Sequence, residues 1–284
     1  MPGAKTERTV PIRYCYGADH SQYAELYLPH QRRYQGVVVV IHGGYWRSAY
    51  TAELGAPIAA DLAAHGMVAW NLEYRRAGNG GGWPETFADV SAGIDALRVA
   101  AAEHALNLDR VVALGHSAGG QLAVWAAGRD KLPPGAPGSY SAAVPPTEPT
   151  EVPLTAVVSQ SGVLDLRQAM TLNLSDGAVR NFLGRTPEAR PERYRLADPV
   201  QQIPLAIPVY AVSATADVTV PPSLSRAYVA AAQAAGAVAE LIPVPGDHFD
   251  LIDIHSEAFA VCRALIRSNL AQTAPDRRRT SDLG

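Results

Sequence analysis

Ser117 lies in the stretch Leu114-Gly115-His116-Ser117-Ala118-Gly119-Gly120, a G-x-S-x-G pattern between a greasy run and an alanine-rich helical pattern. In that context the chemistry is nucleophilic attack. A serine on a tight strand-to-helix turn projects its Oγ clear of a sheet, and glycines two positions before and after relieve the crowding. The start of the following helix favours developing negative charge. Serine is a weak nucleophile unless a base accepts its proton and a carboxylate orients that base. In this arrangement both partners follow the serine, acid first and then histidine. His248, in "VPGDHFDL", follows the last strand pattern and is the expected base, with His255 at the start of the final helix as its rival. Asp217, in "SATADVTVPP", is the favoured acid. Its position also suits a helix cap, and Asp165, in "SGVLDL", is the competitor. Asp247 and Asp250 flank His248 too closely to reach its Nδ1 easily, and His116 is expected to point away from the site.

Acyl transfer also builds negative charge on a carbonyl oxygen, which fixed backbone N–H groups can stabilise. The N–H of Ala118 is one expected donor. "HGGYW", residues 42–46, supplies the others, because Gly43 and Gly44 let the backbone come within hydrogen-bonding distance of a substrate oxygen. Tyr45 and Trp46 have two readings, as anchors of that loop against the core or as walls for a planar leaving group. Trp83, after "GNGGG", has the same two readings.

These residues need elements to hold them. Strand patterns are predicted at 24–29, 37–42, 67–74, 110–115, 154–162, 207–215 and 238–246. Helical patterns fall at 51–66, up to about 105 after the Gly-rich loop, 117–128, 221–236 and 256–271. Pro57 would kink the first of these unless the helix begins there. The alternation predicts an α/β fold: a mainly parallel sheet flanked by helices, in one domain over residues 1–272. Residues 131–153 read as a Pro/Gly/Ser-rich, poorly ordered insertion, 163–203 as a small partial cap over the sheet's end, and 273–284 as a disordered tail.

Bulk properties narrow the function. Of the 284 residues 48% are hydrophobic, enough for a sizeable core, and a net charge of −3 gives no electrostatic reason to expect nucleic acid. No apolar run approaches a membrane span, and the first ten residues lack a secretory h-region. Cys15 and Cys262 form no metal-binding spacing. The expectation is a cytoplasmic protein without metal or cofactor, acting on a small molecule, with no nucleic acid or membrane partner.

With "HGGYW" and "GHSAGG" together, the sequence resembles the α/β-hydrolase superfamily over most of residues 20–270. More narrowly it is similar to the kynurenine formamidase-like branch of serine esterases and amidases, marked by HGG-x-W. "SQSGVLDL" (159–166), "DHFDL" and "EYRRAGNGGGWPETFADV" (73–90) are similar to segments of that group. The resemblance implies Ser117, Asp217 and His248 as a triad, with Gly43, Gly44 and Ala118 around the oxyanion and Asp165 in a segment that shapes the pocket. It implies a hydrolase of small esters or N-formyl and aryl amides. A non-catalytic small-molecule-binding protein on the same fold is the alternative.

Overall fold

The computed structural model describes residues 10–140 and 151–271. Four consecutive valines and an isoleucine form β3 (Val37–Ile41), and all five are buried. Such a run is stable only where both faces of a strand are covered, as in a parallel sheet between helix layers. Val37, Val39 and Ile41 face one core, and Val38 and Val40 the other. Each buried valine contributes about 1.5–3 kcal/mol of transfer free energy.

The full strand set is β1 (Ile12–Cys15), β2 (Tyr23–Tyr27), β3, β4 (Val68–Leu72), β5 (Val111–His116), β6 (Ala156–Gln160), β7 (Val209–Ala214) and β8 (Ala239–Val244). They form one sheet in the order β1-β2-β4-β3-β5-β6-β7-β8. β1 and β2 are antiparallel to their neighbours, and the ladders from β4 to β8 are all parallel. β1, paired with β2 over four residues, was not expected from the sequence, because its short IRYC segment is mostly exposed and shows no buried period.

The helices are α1 (Ala56–Ala64), α2 (Glu85–Asp95), α3 (Leu97–His104), α4 (Ala118–Ala127), α5 (Leu166–Thr171), α6 (Ala178–Leu183), α7 (Pro191–Ala197), α8 (Pro222–Ala234) and α9 (Glu257–Ala271). α1 and α9 cover the face bearing Val38 and Val40, while α2, α3, α4 and α8 cover the other. Pro57 lies in the first turn of α1, where its missing N–H costs no hydrogen bond, so the helix starts there without a kink. The long helix expected up to residue 105 is two, broken at Ala96.

Between β6 and β7 lie three short helices, α5, α6 and α7, within the segment expected to form a small cap. Gly138 is held by Ser91 Oγ and Arg129 Nε, which both donate to its carbonyl. The rest of the 131–153 segment includes residues 141–150, which lie outside the described residues, as does the tail 273–284.

Candidate active site

Ser117 follows the last residue of β5 and precedes α4. Its backbone has φ +56° and ψ −117°, a sparsely populated region that costs about 1–3 kcal/mol. The glycines on either side are required by space. A Cβ on Gly115 would sit 2.2 Å from the Gly119 carbonyl oxygen, and one on Gly119 would sit 2.1 Å from that of Ile41. α4 is apolar on every side and buried along most of its length, so the turn rests on a fixed support. Ala118, the first residue of α4, has an N–H with no place in the intrahelical ladder.

Asp217 and His248 follow β7 and β8, and both are buried. His248 Nδ1 donates to Asp217 Oδ2 at 2.7 Å. The other carboxylate oxygen of Asp217 accepts the N–H groups of Thr219 and Val220, each at 2.8 Å. Burial works to raise the Asp217 pKa, but the hydrogen bonds from His248 and Val220 outweigh it and hold it below the usual carboxylate value. One oxygen of Asp217 thus closes a turn ahead of α8, whose N-cap is Pro221, so the helix-cap reading is not realised, and the other oxygen pairs with His248.

β8 lies three strands from β5, so the His248 loop must cross the sheet end. Two side chains on the crossed strands hold it there. His116 Nε2 donates to the His248 carbonyl at 3.0 Å, and Gln160 Nε2 donates to the Leu251 carbonyl. The His116 and His248 rings lie 4.4 Å apart. His116 thus points onto the His248 loop rather than away from it, a correction to the sequence reading. The orientation follows from the turn at Ser117, which no propensity encodes. Burial, with His248 beside it, pushes the His116 imidazole down to about 3 and keeps it neutral.

Gly43 abuts the serine: a Cβ there would lie 3.1 Å from Ser117 Cβ and 2.8 Å from the His116 carbonyl oxygen. Gly44 has φ +110°, a conformation open to glycine. His42 Nδ1 lies 2.8 Å from the Gly43 carbonyl oxygen and its Nε2 3.2 Å from Glu73 Oε1. Both nitrogens face acceptors. Burial lowers the imidazole to about 3, so it carries one proton, which we assign to the shorter contact with Gly43. In a trans peptide the C=O and N–H point opposite ways. The His42 bond to the Gly43 carbonyl therefore turns the Gly44 N–H away from His42.

Tyr45 and Trp46 both have positive φ, +49° and +55°. Their side chains hold this unfavourable backbone in place. Tyr45 Oη donates to the Thr219 carbonyl at 2.6 Å, tying the loop to the Asp217 turn. Trp46 is fully buried, stacks on Phe182 with ring centroids 4.5 Å apart, and donates Nε1–H to Gln121 Oε1 at 3.0 Å. Of its two sequence readings, this is the anchor geometry. Trp83 is half-buried, its ring edge-on to Phe87 at 5.2 Å. Gln121 was not singled out from sequence. Its position one helical turn after Ser117 was the available signal.

The other candidates lie elsewhere. Asp165 caps α5 by accepting the Gln168 N–H at 2.8 Å. Asp247 accepts the N–H groups of Phe249 and Asp250 within its own turn, and His255 is exposed.

A mostly parallel eight-stranded sheet flanked by helices, with a serine elbow after a central strand, defines the α/β-hydrolase fold. A profile of the BD-FAE family, α/β-hydrolase esterases, matches residues 24–231, and the chain belongs to that family. Esterase LipC of Mycobacterium tuberculosis is 28% identical over 224 residues, covering 76% of this chain and 54% of that protein. The chain thus spans about half the length of the curated relative it matches. Among solved structures, a truncated carbohydrate esterase from gut microbiota has a TM-score of 0.77 at 21% identity, covering 94% of this chain and 99% of that one. Esterase 2 of Thermogutta terrifontis, phosphonylated by sarin, has a TM-score of 0.71 at 23% identity, with 94% and 98% covered. These likenesses show the fold. No helix among the described residues is long and apolar enough to cross a membrane.

Proposed function

We propose that this chain is a serine hydrolase of small carboxylic esters. Ser117 is the nucleophile, and the backbone N–H groups of Gly43, Gly44 and Ala118 receive the oxyanion. His248 takes the serine proton as Oγ attacks the carbonyl and returns it to the leaving alcohol. Asp217 holds the Nδ1–H tautomer and stabilises the imidazolium. Water, activated by the same histidine, then releases the acid from the acyl-enzyme. The sequence of steps needs no metal or organic cofactor.

The observation that carries this reading is the 2.7 Å pairing of His248 Nδ1 with a carboxylate whose second oxygen is already occupied by two backbone N–H groups. A carboxylate fixed in this way can orient an imidazole without moving. The esterase names of the relatives support the same chemistry. Two free thiols, Cys15 exposed and Cys262 buried, fit a cytoplasmic location.

The test is turnover of p-nitrophenyl acetate together with labelling by a fluorophosphonate. Both are expected for the wild type and lost in Ser117→Ala; retained turnover in that variant would sink the assignment. A binding protein on the same fold would neither label nor turn over. The HGG-x-W sequence at residues 42–46 favours a second reading, hydrolysis of an N-formyl aryl amide through a formyl-enzyme. The ratio of kcat/KM for N-formylkynurenine to that for p-nitrophenyl acetate separates the two.

A further inference from the structure

Glu73 and Tyr74, directly after β4, are both buried, and the proposed chemistry uses neither. Burial drives the Tyr74 phenol well above its usual range, so it keeps its proton and serves as a donor. Tyr74 Oη donates to the His42 carbonyl at 2.8 Å, and its ring stacks on the His42 imidazole with centroids 4.5 Å apart. Tyr74 is itself fixed, because its N–H donates to Glu73 Oε1 at 2.8 Å. Glu73 Oε2 accepts the Ala52 N–H at 2.8 Å, and Arg76 pairs with the same carboxylate. His42 opens the loop that carries Gly43 and Gly44, and Ala52 begins the short helical turn that closes it. One carboxylate thus holds the far end of the loop directly and its near end through Tyr74.

The consequence is directional. Tyr74 Oη holds the oxygen side of the His42–Gly43 peptide, so the Gly43 N–H, on the opposite side of that trans peptide, points away from Tyr74. The next peptide is held in the same manner, by His42 Nδ1 on the Gly43 carbonyl. Both proposed oxyanion N–H groups are therefore aimed by bonds to the far edges of their own peptides. Among the described residues neither N–H donates to another group. The His42 carbonyl has little room to turn, since a Cβ on Gly119 would lie 2.5 Å from its oxygen.

Resting on the serine hydrolase reading, we infer that Tyr74 is a positioning residue for the oxyanion, its hydroxyl setting the direction of the Gly43 N–H. Glu73 fixes Tyr74 relative to the loop. Tyr74 has no exposed surface, so it acts through the main chain and not on substrate.

The experiment is Tyr74→Phe, which keeps the ring on His42 and the buried volume of the core. With p-nitrophenyl acetate, kcat is expected to fall about tenfold, part of the loss that removing an oxyanion donor brings. KM is expected to stay within about twofold, because acylation and deacylation pass through the same oxyanion and slow together. Inhibition by phenylboronic acid, whose adduct on Ser117 is tetrahedral and anionic, is expected to weaken by a similar factor. Tyr16→Phe is the control. It deletes a hydroxyl that donates to the Glu73 carbonyl at 2.6 Å, outside the loop, and should leave kcat and boronate inhibition nearly unchanged. Wild-type kcat and boronate affinity in Tyr74→Phe overturn the inference. So does an equal loss in Tyr16→Phe, which would make the effect one of general stability. A wild type that neither labels with fluorophosphonate nor turns over the ester overturns the hydrolase reading itself, and this inference with it.

Discussion

Trp46 and Gln121 are joined by a 3.0 Å hydrogen bond that runs from the loop after β3 to the helix after β5. Gln121 in turn donates to the Ala197 carbonyl at 2.9 Å, so one buried side chain links the glycine loop, the serine helix and the end of α7. Trp46→Phe keeps a ring for Phe182 but leaves Gln121 Oε1 without its donor. The expected cost is about 1–3 kcal/mol, against ~3–5 kcal/mol for Trp46→Ala. Urea denaturation reads both. Ester kcat is expected to fall more than KM changes, because the loop carries the proposed oxyanion donors.

Asp217→Asn tests the acid. An asparagine can keep its oxygen on the Thr219 and Val220 N–H groups, but it then presents NH2 to His248 Nδ1 and selects the wrong tautomer. A loss in kcat on the order of 10³–10⁴ is expected, with little change in melting temperature. Asp165→Asn, which preserves a helix cap, should lose far less. Equal losses in the two variants would remove Asp217 from its proposed role.

Asp198 is fully buried, with Oδ1 accepting the Leu166 N–H and Oδ2 unpartnered. Burial raises its pKa from 3.8 to about 7. The folded protein then holds a proton that the unfolded chain releases between those values, so this group lowers stability as pH rises from 3.8 to 7. Asp198→Asn is expected to raise stability at pH 8, by a few kcal/mol at most, and to have no such effect at pH 4. Thermal unfolding at the two pH values decides it.

His116 acts with the opposite sign. Its folded pKa of about 3 lies below the ordinary 6.5, so the unfolded chain binds the extra proton. Its contribution is present above pH 6.5 and is lost as pH falls toward 3, at up to about 1.4 kcal/mol per pH unit. His116→Gln should flatten the acid limb of the stability profile, whereas Asp198→Asn should steepen it. Identical profiles for the two variants would contradict both assignments.

Much of the scaffold was legible because burial imposes a pattern. β3 and β5 lie between two helix layers, and their unbroken apolar runs say so. Gly115 and Gly119 were legible as elbow residues because no side chain fits at either. β1 was not, since an exposed edge strand needs no apolar period. The break at Ala96 carries neither glycine nor proline and was equally silent. Trp46 could not be assigned from its neighbours in sequence, because Phe182 and Gln121 supply its environment from far along the chain. Of the competing carboxylates, Asp217 and Asp165 both follow strands and both can cap. Only the spatial position of His248 distinguishes them.

The tethers on the His248 loop both end on main-chain carbonyls, those of His248 and Leu251, while their donors, His116 and Gln160, belong to the sheet. The imidazole is thereby located by groups outside its own loop. The tethers depend on main-chain atoms of that loop and not on its side chains. The sheet therefore acts as a fixed datum for the imidazole, much as a jig locates a workpiece by its backbone and leaves its surface free.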